Sequence, residues 1–301
     1  MKLARALGTT PDGVAFASSL GAMEIRRLRE KIVAALYDEH RAAFRRVAAI
    51  TRTLPTWLNV RITLRAFSPM LAARVAGEMA PERAAELANR MPIEYLAEGC
   101  VHLDPRRAAP LVGRMDPDRV LAVVEELVGR GDFITLGRLL DAADPALLAH
   151  LAAALSDDAL LRIGCYAESG DQLTRAVSAL PAARLRSIVH RALSWPHDIR
   201  STGLSMIGQL TDENLLTRLA GYALEANDDV LATLLRTALD DGAVGELLTA
   251  VAAMDEPGRR RVAALPVLDD DEIRARLVQD AKHLGLGPLL ASLAELRHGW
   301  T

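Results

Sequence analysis

The 301-residue chain has few aromatic residues and few cysteines, and each scarcity excludes a class of protein. Aromatic residues make up 4% of the chain, too few for a β-sandwich or β-barrel, whose strands need aromatic and β-branched side chains. Cys100 and Cys165 are the only cysteines, too few for a secreted disulfide framework. No run approaches the roughly 18 apolar residues that a membrane-spanning helix requires.

Alanine and leucine supply most of the apolar content, and they favour helices. Half of the residues are hydrophobic and the net charge is −3, a combination that excludes a disordered chain. Thr9, Pro11 and Asp12 interrupt the N-terminal region, so we expect no signal peptide and a cytoplasmic location. All but three of the 36 basic residues are arginine, which is typical of GC-rich bacterial genomes. The composition therefore predicts an all-α protein.

The charge is distributed unevenly along the chain. Between Glu24 and Arg74 there are eleven basic and four acidic residues, whereas from Val75 to Thr301 there are 23 basic and 34 acidic residues. One end is therefore basic and the remainder acidic. Because the net charge is close to zero and no nucleic-acid motif is present, we expect no sequence-specific nucleic-acid binding.

A twelve-residue repeat begins at Phe67 and recurs through Tyr166. Most units open with a large apolar residue, a capping residue and a proline, and then place apolar residues at the sixth, seventh, ninth and tenth positions. The cap and the proline suit the first turn of a helix, and the apolar spacing forms one helical face. The pattern predicts helices of about eight residues that stack on their neighbours. The clearest units are FSPMLAARVAGE, MAPERAAELANR, MPIEYLAEGCVH, LDPRRAAPLVGR and MDPDRVLAVVEE.

The repeat divides the chain into three segments of one continuous helical array. Residues 1–66 form a helical cap with a basic face, in which apolar spacing predicts a long amphipathic helix from Glu24 to about Thr51 and a second helix from Thr56. Residues 67–167 hold the short repeats, and residues 168–301 continue with longer helices. Turn signals, among them Glu256-Pro257-Gly258, separate those longer helices.

The units from Phe67 to Tyr166 resemble the N-terminal cytosolic domain of MgtE-type magnesium transporters. The phrases MAPERAAELANRM, LDPRRAAPLVGRM and MDPDRVLAVVEEL carry the resemblance. It implies a right-handed superhelix of short helices that serves as an interaction domain. The family's CBS domains and membrane region have no counterpart in these 301 residues, and no magnesium ligand can be transferred. The units also carry arginines at positions predicted to be exposed, namely Arg83, Arg90, Arg106, Arg107, Arg114 and Arg119.

The sequence offers no catalytic, cofactor-binding or metal-binding constellation. It contains no Gly-x-Ser-x-Gly elbow and no glycine-rich phosphate loop. Cys100 falls at a core position of the repeat and His102 at an exposed one, so their proximity in sequence does not indicate zinc binding. The carboxylates of residues 269–272 precede an apolar-periodic helix, and we interpret them as a helix start. We therefore predict no catalytic residue, no metal site and no cofactor.

The strongest hypothesis from sequence is a non-enzymatic helical-repeat scaffold that binds a protein partner. Its basic N-terminal helices would contribute an interaction surface, although the same face could be solvated or could lie on the acidic remainder of the chain. One alternative is a carrier of an apolar or amphipathic small molecule within the superhelix, and another is a divalent-cation-responsive regulatory domain. The candidate surface residues are Arg26, Arg29, Arg41, Arg45 and Arg46.

Overall fold

The computed structural model describes residues 9–17, 19–21, 24, 25, 27, 28, 31, 32 and 39–296. Within these residues the secondary structure is helical and contains no strand, which confirms the all-α fold. The α-helices between residues 41 and 296 are α1 Arg41–Thr51, α2 Thr56–Ala66, α3 Pro69–Ala76, α4 Pro81–Ala88, α5 Ile93–Cys100, α6 Pro105–Val112, α7 Pro117–Gly129, α8 Phe133–Leu139, α9 Pro145–Ala154, α10 Asp157–Cys165, α11 Gly170–Ser178, α12 Ala182–Leu193, α13 His197–Ile207, α14 Glu213–Ala223, α15 Asp228–Asp240, α16 Val244–Ala252, α17 Glu256–Ala263, α18 Asp271–His283 and α19 Gly287–Leu296.

The twelve-residue repeat sets the positions of the short helices as predicted. Helices α3 to α7 begin at residues 69, 81, 93, 105 and 117, and α3 to α6 are each eight residues long. Ser68, Asp104 and Asp116 each accept a hydrogen bond from a first-turn backbone N–H, which satisfies an amide that the helix itself leaves unpaired. Pro92 departs from the pattern, because it occupies the N-cap of α5 and Ile93 is the first helical residue.

Alternate helices of the repeat pack together in two rows. Helix α1 packs on α3, α3 on α5 and α5 on α7, while α2 packs on α4 and α4 on α6. Ala97 of α5 and Ala108 of α6 are fully buried, and small side chains let short helices approach closely. Each of the five clearest units buries at least two of its four predicted core positions, and the others are partly buried. The buried ones are Ala73, Val75, Ala84, Ala85, Leu87, Ala88, Ala97, Gly99, Ala108, Leu111, Val120, Val123 and Val124.

The chain divides into two compact units. The first comprises residues 1–135 and 141–143, and the second comprises residues 136–140 and 144–301. Within the second unit α10 packs on α12, α12 on α14 and α16 on α18. Its largest core is formed by apolar residues of α15 to α19, which include Leu235, Val244, Leu248, Leu277 and Leu293. The predicted segment boundaries near residues 66 and 167 fall inside these units.

Two predicted elements differ in the structure. A turn at Glu39 and His40 precedes α1, so the helix that ends at Thr51 begins at Arg41 and does not run unbroken from Glu24. Residues 256–258, predicted to form a turn, are the first turn of α17. There the carboxylate of Asp255 accepts from the Gly258 N–H at 2.9 Å, and a proline in the first turn suits a helix start as well as a turn.

Candidate interaction surface

The five arginines predicted to form a basic surface have different environments. Arg26 and Arg29 lie outside the residues that the structure describes. Arg41, Arg45 and Arg46 all lie on α1, in the first unit. Arg41 and Arg45 form ion pairs within the protein, and Arg45 and Arg46 are both exposed.

Glu78, between α3 and α4, gathers three arginines around one carboxylate. Its side chain is only 5% exposed and accepts from Arg41 Nε at 3.0 Å and Arg45 Nε at 2.8 Å. The Arg107 guanidinium, from α6, also donates to Oε1. Charge-assisted hydrogen bonds to a shielded carboxylate are stronger than ordinary ones. Part of the basic face therefore connects α1 and α6 through one shared carboxylate. Glu78 belongs to the acidic remainder of the chain, on which the sequence allowed the basic face to lie.

Half of the repeat arginines predicted to be exposed are partly buried, and this corrects the sequence-based expectation. Arg90, Arg106 and Arg114 are exposed, but the others lie at the third position of their helices and reach across the interface. Arg83 of α4 donates to the Leu54 carbonyl oxygen, which precedes α2, at 2.6 Å. Arg119 of α7 donates to the carbonyl of Met91, which precedes α5. The third such residue, Arg107, bonds Glu78.

These contacts provide hydrogen-bond donors to backbone carbonyls that precede the N-caps of neighbouring helices. The carbonyl of the residue before the N-cap accepts no intrahelical bond, and partly buried carbonyls need donors. In α5 the third residue is Tyr95 and not an arginine. Its hydroxyl donates to the Phe67 carbonyl oxygen at 3.1 Å. In the second unit Arg184 of α12 donates to the Leu155 carbonyl before α10. Many of the repeat's arginines therefore have an architectural role.

Helix α2 buries polar side chains and exposes large apolar ones, the reverse of the usual arrangement in a soluble protein. Asn59 is 3% exposed and Thr63 is 8% exposed, whereas Trp57 is 61% exposed and Ile62 and Leu64 are also exposed. The buried amide is satisfied, since Asn59 Nδ2 donates to the carbonyls of Thr51 at 2.9 Å and Leu54 at 3.1 Å. The outward face of α2 therefore presents large apolar side chains to solvent, an arrangement that marks interaction sites.

The same face carries arginines that pair with no described residue. Arg61 and Arg65 are exposed, and no described residue forms a hydrogen bond or ion pair with either. Sequence reasoning missed this face because it identified the helix without establishing which side is buried. We call Trp57, Arg61, Ile62, Leu64 and Arg65 the α2 outward face.

Most other charged residues of the second unit are engaged structurally. Asp158 accepts two hydrogen bonds from Arg191, at 2.7 and 2.8 Å, and one from the Trp195 indole at 3.0 Å. These hydrogen bonds lower the pKa of Asp158 to about 2. The Arg162 guanidinium lies 5.5 Å from the centre of the Trp195 ring, within the range of a cation–π interaction. The cluster joins α10 to the end of α12.

The two cysteines are poorly suited to nucleophilic or metal chemistry. Burial raises the pKa of the Cys100 thiol to about 12 and that of Cys165 to about 11. A thiolate is the reactive and metal-ligating form, so both remain protonated near neutral pH. His102, two residues after Cys100, is exposed as predicted.

The acidic residues before α18 have the role expected of a helix start. The Asp270 carboxylate accepts from the backbone N–H groups of Glu272 and Ile273 at 3.0 and 3.3 Å. Within the part of the chain that the structure describes, no group of three or more His, Cys, Asp or Glu residues could hold a metal ion. The divalent-cation hypothesis therefore has no supporting site there.

A cleft in the second unit is too open and too polar to resemble a lipid-binding cavity. It measures about 470 Å³, is open to solvent and lies against α15 and α18. Arg276 in its wall donates to the Leu239 carbonyl at 3.1 Å and to Asp240 at 3.2 Å. Asp280 and His283 also line it. An apolar ligand would leave these polar groups less solvated, which is unfavourable.

None of the described helices is long and apolar enough to cross a membrane.

The chain was compared with protein-family models, with curated proteins and with solved structures. No family model, curated protein or solved structure matches this chain. The resemblance of residues 67–166 to the MgtE N-terminal domain therefore stays a prediction that rests on the repeated sequence phrases.

Proposed function

We propose that this protein is a non-enzymatic helical-repeat scaffold that binds a protein partner. The observation that carries the proposal is the inversion of α2, which buries Asn59 and Thr63 and exposes Trp57 and Leu64. Exposed tryptophan and arginine are the residue types most enriched at protein–protein hot spots. The buried side of α2 is occupied by Thr63 and by Asn59, whose amide donates to two backbone carbonyls. The apolar side chains therefore lie on the exposed side, where a partner can contact them.

The repeat architecture supports the same proposal. A stack of short helices in two rows offers an extended surface, which is how solenoid proteins bind their partners. The eight-residue helices and the prolines at their first positions also agree with the short-helix repeats that the MgtE resemblance implies. On the basis of that resemblance we propose that the helices wind into a right-handed superhelix. This likeness concerns architecture and does not transfer transport activity.

Affinity capture with matched variants tests the proposal. The full chain, tagged at its C-terminus, is used to recover partners from lysate of the native host. We compare it with a Trp57→Ala/Leu64→Ala variant, and with Leu284→Ala, which removes another exposed leucine in the second unit. A protein partner recovered equally by the wild type and Leu284→Ala, but lost in the α2 variant, supports the proposal. Recovery of no specific partner, or equal recovery by all three proteins, overturns it.

A further inference from the structure

The charges on the α2 outward face are arranged in a specific order. Because successive helical residues are rotated by about 100°, Leu64 and Trp57 lie on one side of the face and Ile62 lies on the other. Arg61 and Arg65 lie between them, at the centre of the exposed arc. The surface is therefore a basic row with apolar flanks.

No acidic residue of the surrounding sequence neutralises this row. Residues 40 to 77 contain seven arginines and no Asp or Glu. Arg41 and Arg45 are held by Glu78, the first acid that follows. Arg61 and Arg65 have no such partner among the described residues, so their charge is free to attract an anionic ligand.

We propose that the α2 outward face docks an acidic amphipathic helix of a partner protein. Its carboxylates would pair with Arg61 and Arg65, and its apolar side chains would contact Trp57 and Leu64. The inference rests on the proposed function and specifies its partner. An amphipathic helix fits because α2 already packs on α4 along its opposite side, and a second helix can pack along an exposed helical ridge in the same way.

Two other occupants fit the charges less well. A helix that lies in an anionic membrane surface buries the centre of its apolar face, whereas Arg61 and Arg65 occupy the centre here. Residues 1–38 of this chain carry six basic and four acidic residues, so they would not complement two further arginines. A partner rich in Asp and Glu provides the complementary charge.

Site-specific photocrosslinking tests the inference in the full chain. A benzophenone amino acid replaces Ile62, which is exposed on one flank of the α2 outward face, and adducts formed in native host cells are identified by mass spectrometry. We expect a partner peptide with Asp or Glu and apolar residues at helical spacing. The Arg61→Glu/Arg65→Glu variant should lower the adduct yield at least tenfold. The control Arg218→Glu/Arg236→Glu, which makes the same charge change at exposed arginines of the second unit, should leave the yield unchanged.

Other outcomes overturn the inference in distinguishable ways. An adduct with a protein segment that lacks acidic residues, or one insensitive to Arg61→Glu/Arg65→Glu, removes the acidic helix but leaves the proposed scaffold function in place. An adduct with residues 1–38, or with a second copy of this chain, replaces the partner by the protein itself. Absence of any protein adduct, together with Arg61-dependent binding to phosphatidylglycerol vesicles, overturns both proposals in favour of a membrane surface.

Discussion

The Tyr95 hydroxyl donates a hydrogen bond to the Phe67 carbonyl oxygen at 3.1 Å, and this pair occupies the same register as Arg83 with Leu54. In both pairs the donor is the third residue of its helix, and the acceptor lies two residues before the helix that packs against it. A phenol and a guanidinium thus donate to the equivalent backbone carbonyl in two different units. At this position a long hydrogen-bond donor can satisfy the carbonyl whether or not the donor is charged.

Replacing Tyr95 by phenylalanine tests this requirement. Tyr95→Phe retains the ring but removes the donor to Phe67, and we expect the free energy of unfolding to fall by about 1 kcal/mol. Tyr95→Arg should be close to the wild type because arginine occupies this position elsewhere in the repeat. Urea unfolding followed by circular dichroism gives the comparison. Tyr222→Phe is the control, since its hydroxyl has no described hydrogen bond. Equal effects of the two phenylalanine substitutions would contradict the assignment.

Glu78 should contribute more to stability than other acids of the repeat. Glu78→Gln leaves Arg41, Arg45 and Arg107 around an uncharged amide in a site that is 5% exposed. We expect the free energy of unfolding to fall by about 3 kcal/mol, the lower end for a broken buried pair, because the arginines are partly solvated. Denaturant unfolding measures the change.

Glu82→Gln is the matched control for that substitution. Glu82 pairs with Arg114 at 2.6 Å, but both side chains are well exposed. Exposed ion pairs contribute little to stability, so the control should change little. A loss for Glu78→Gln no larger than that for Glu82→Gln would show that the three-arginine contact does not stabilise the fold.

The helices were largely predictable from the sequence, because local chemistry determines them. Proline and a capping residue set the starts of α3, α6 and α7, and spacing identified most helices of the second unit. At Glu256-Pro257-Gly258 the same chemistry misled, since Pro and Gly occur in turns and in first helical turns alike. The turn at Glu39 and His40 contains no Pro or Gly, which explains why an unbroken helix was expected there.

The candidate surface could be predicted only in part, since it depends on contacts between distant residues. The contact between Arg119 and Met91 spans 28 residues, and it becomes visible only once alternate helices are known to pack together. Arg83, Tyr95, Arg107 and Arg119 all occupy the fifth position of their units, a column of long donors that could have signalled the contact. For α2 no comparable signal exists, because Asn59 and Thr63 are residue types that usually face solvent.

Asp158 predicts how stability depends on acidic pH. Hydrogen bonds from Arg191 and Trp195 lower its pKa from 3.8 to about 2. Since the folded-state pKa lies below the unfolded one, its contribution is present above about pH 4 and is lost as the pH falls towards 2. Allowing for solvent screening of this partly exposed carboxylate, we expect Asp158→Asn to lower the free energy of unfolding by about 1 kcal/mol at neutral pH.

The difference between the wild type and Asp158→Asn should therefore shrink as the pH falls below 4. Urea unfolding at intervals between pH 7 and pH 2 measures it. Glu295→Gln changes an exposed acid on α19 that has no described partner, and it should track the wild type throughout. A difference that stays constant across the range would mean that the Asp158 pKa is not lowered by folding.

Gly170 and Gly221 should respond to alanine in opposite directions. A Cβ at Gly170, the first residue of α11, would overlap the backbone carbonyl of Gln209, whereas a Cβ at Gly221, inside α14, would meet no atom within 4 Å. We expect Gly170→Ala to destabilise the protein by about 1–3 kcal/mol, because a backbone must move to admit the methyl group. Gly221→Ala should stabilise it by up to about 1 kcal/mol through higher helix propensity. Denaturation midpoints that shift the same way in both variants would contradict the close approach of Gly170 to Gln209.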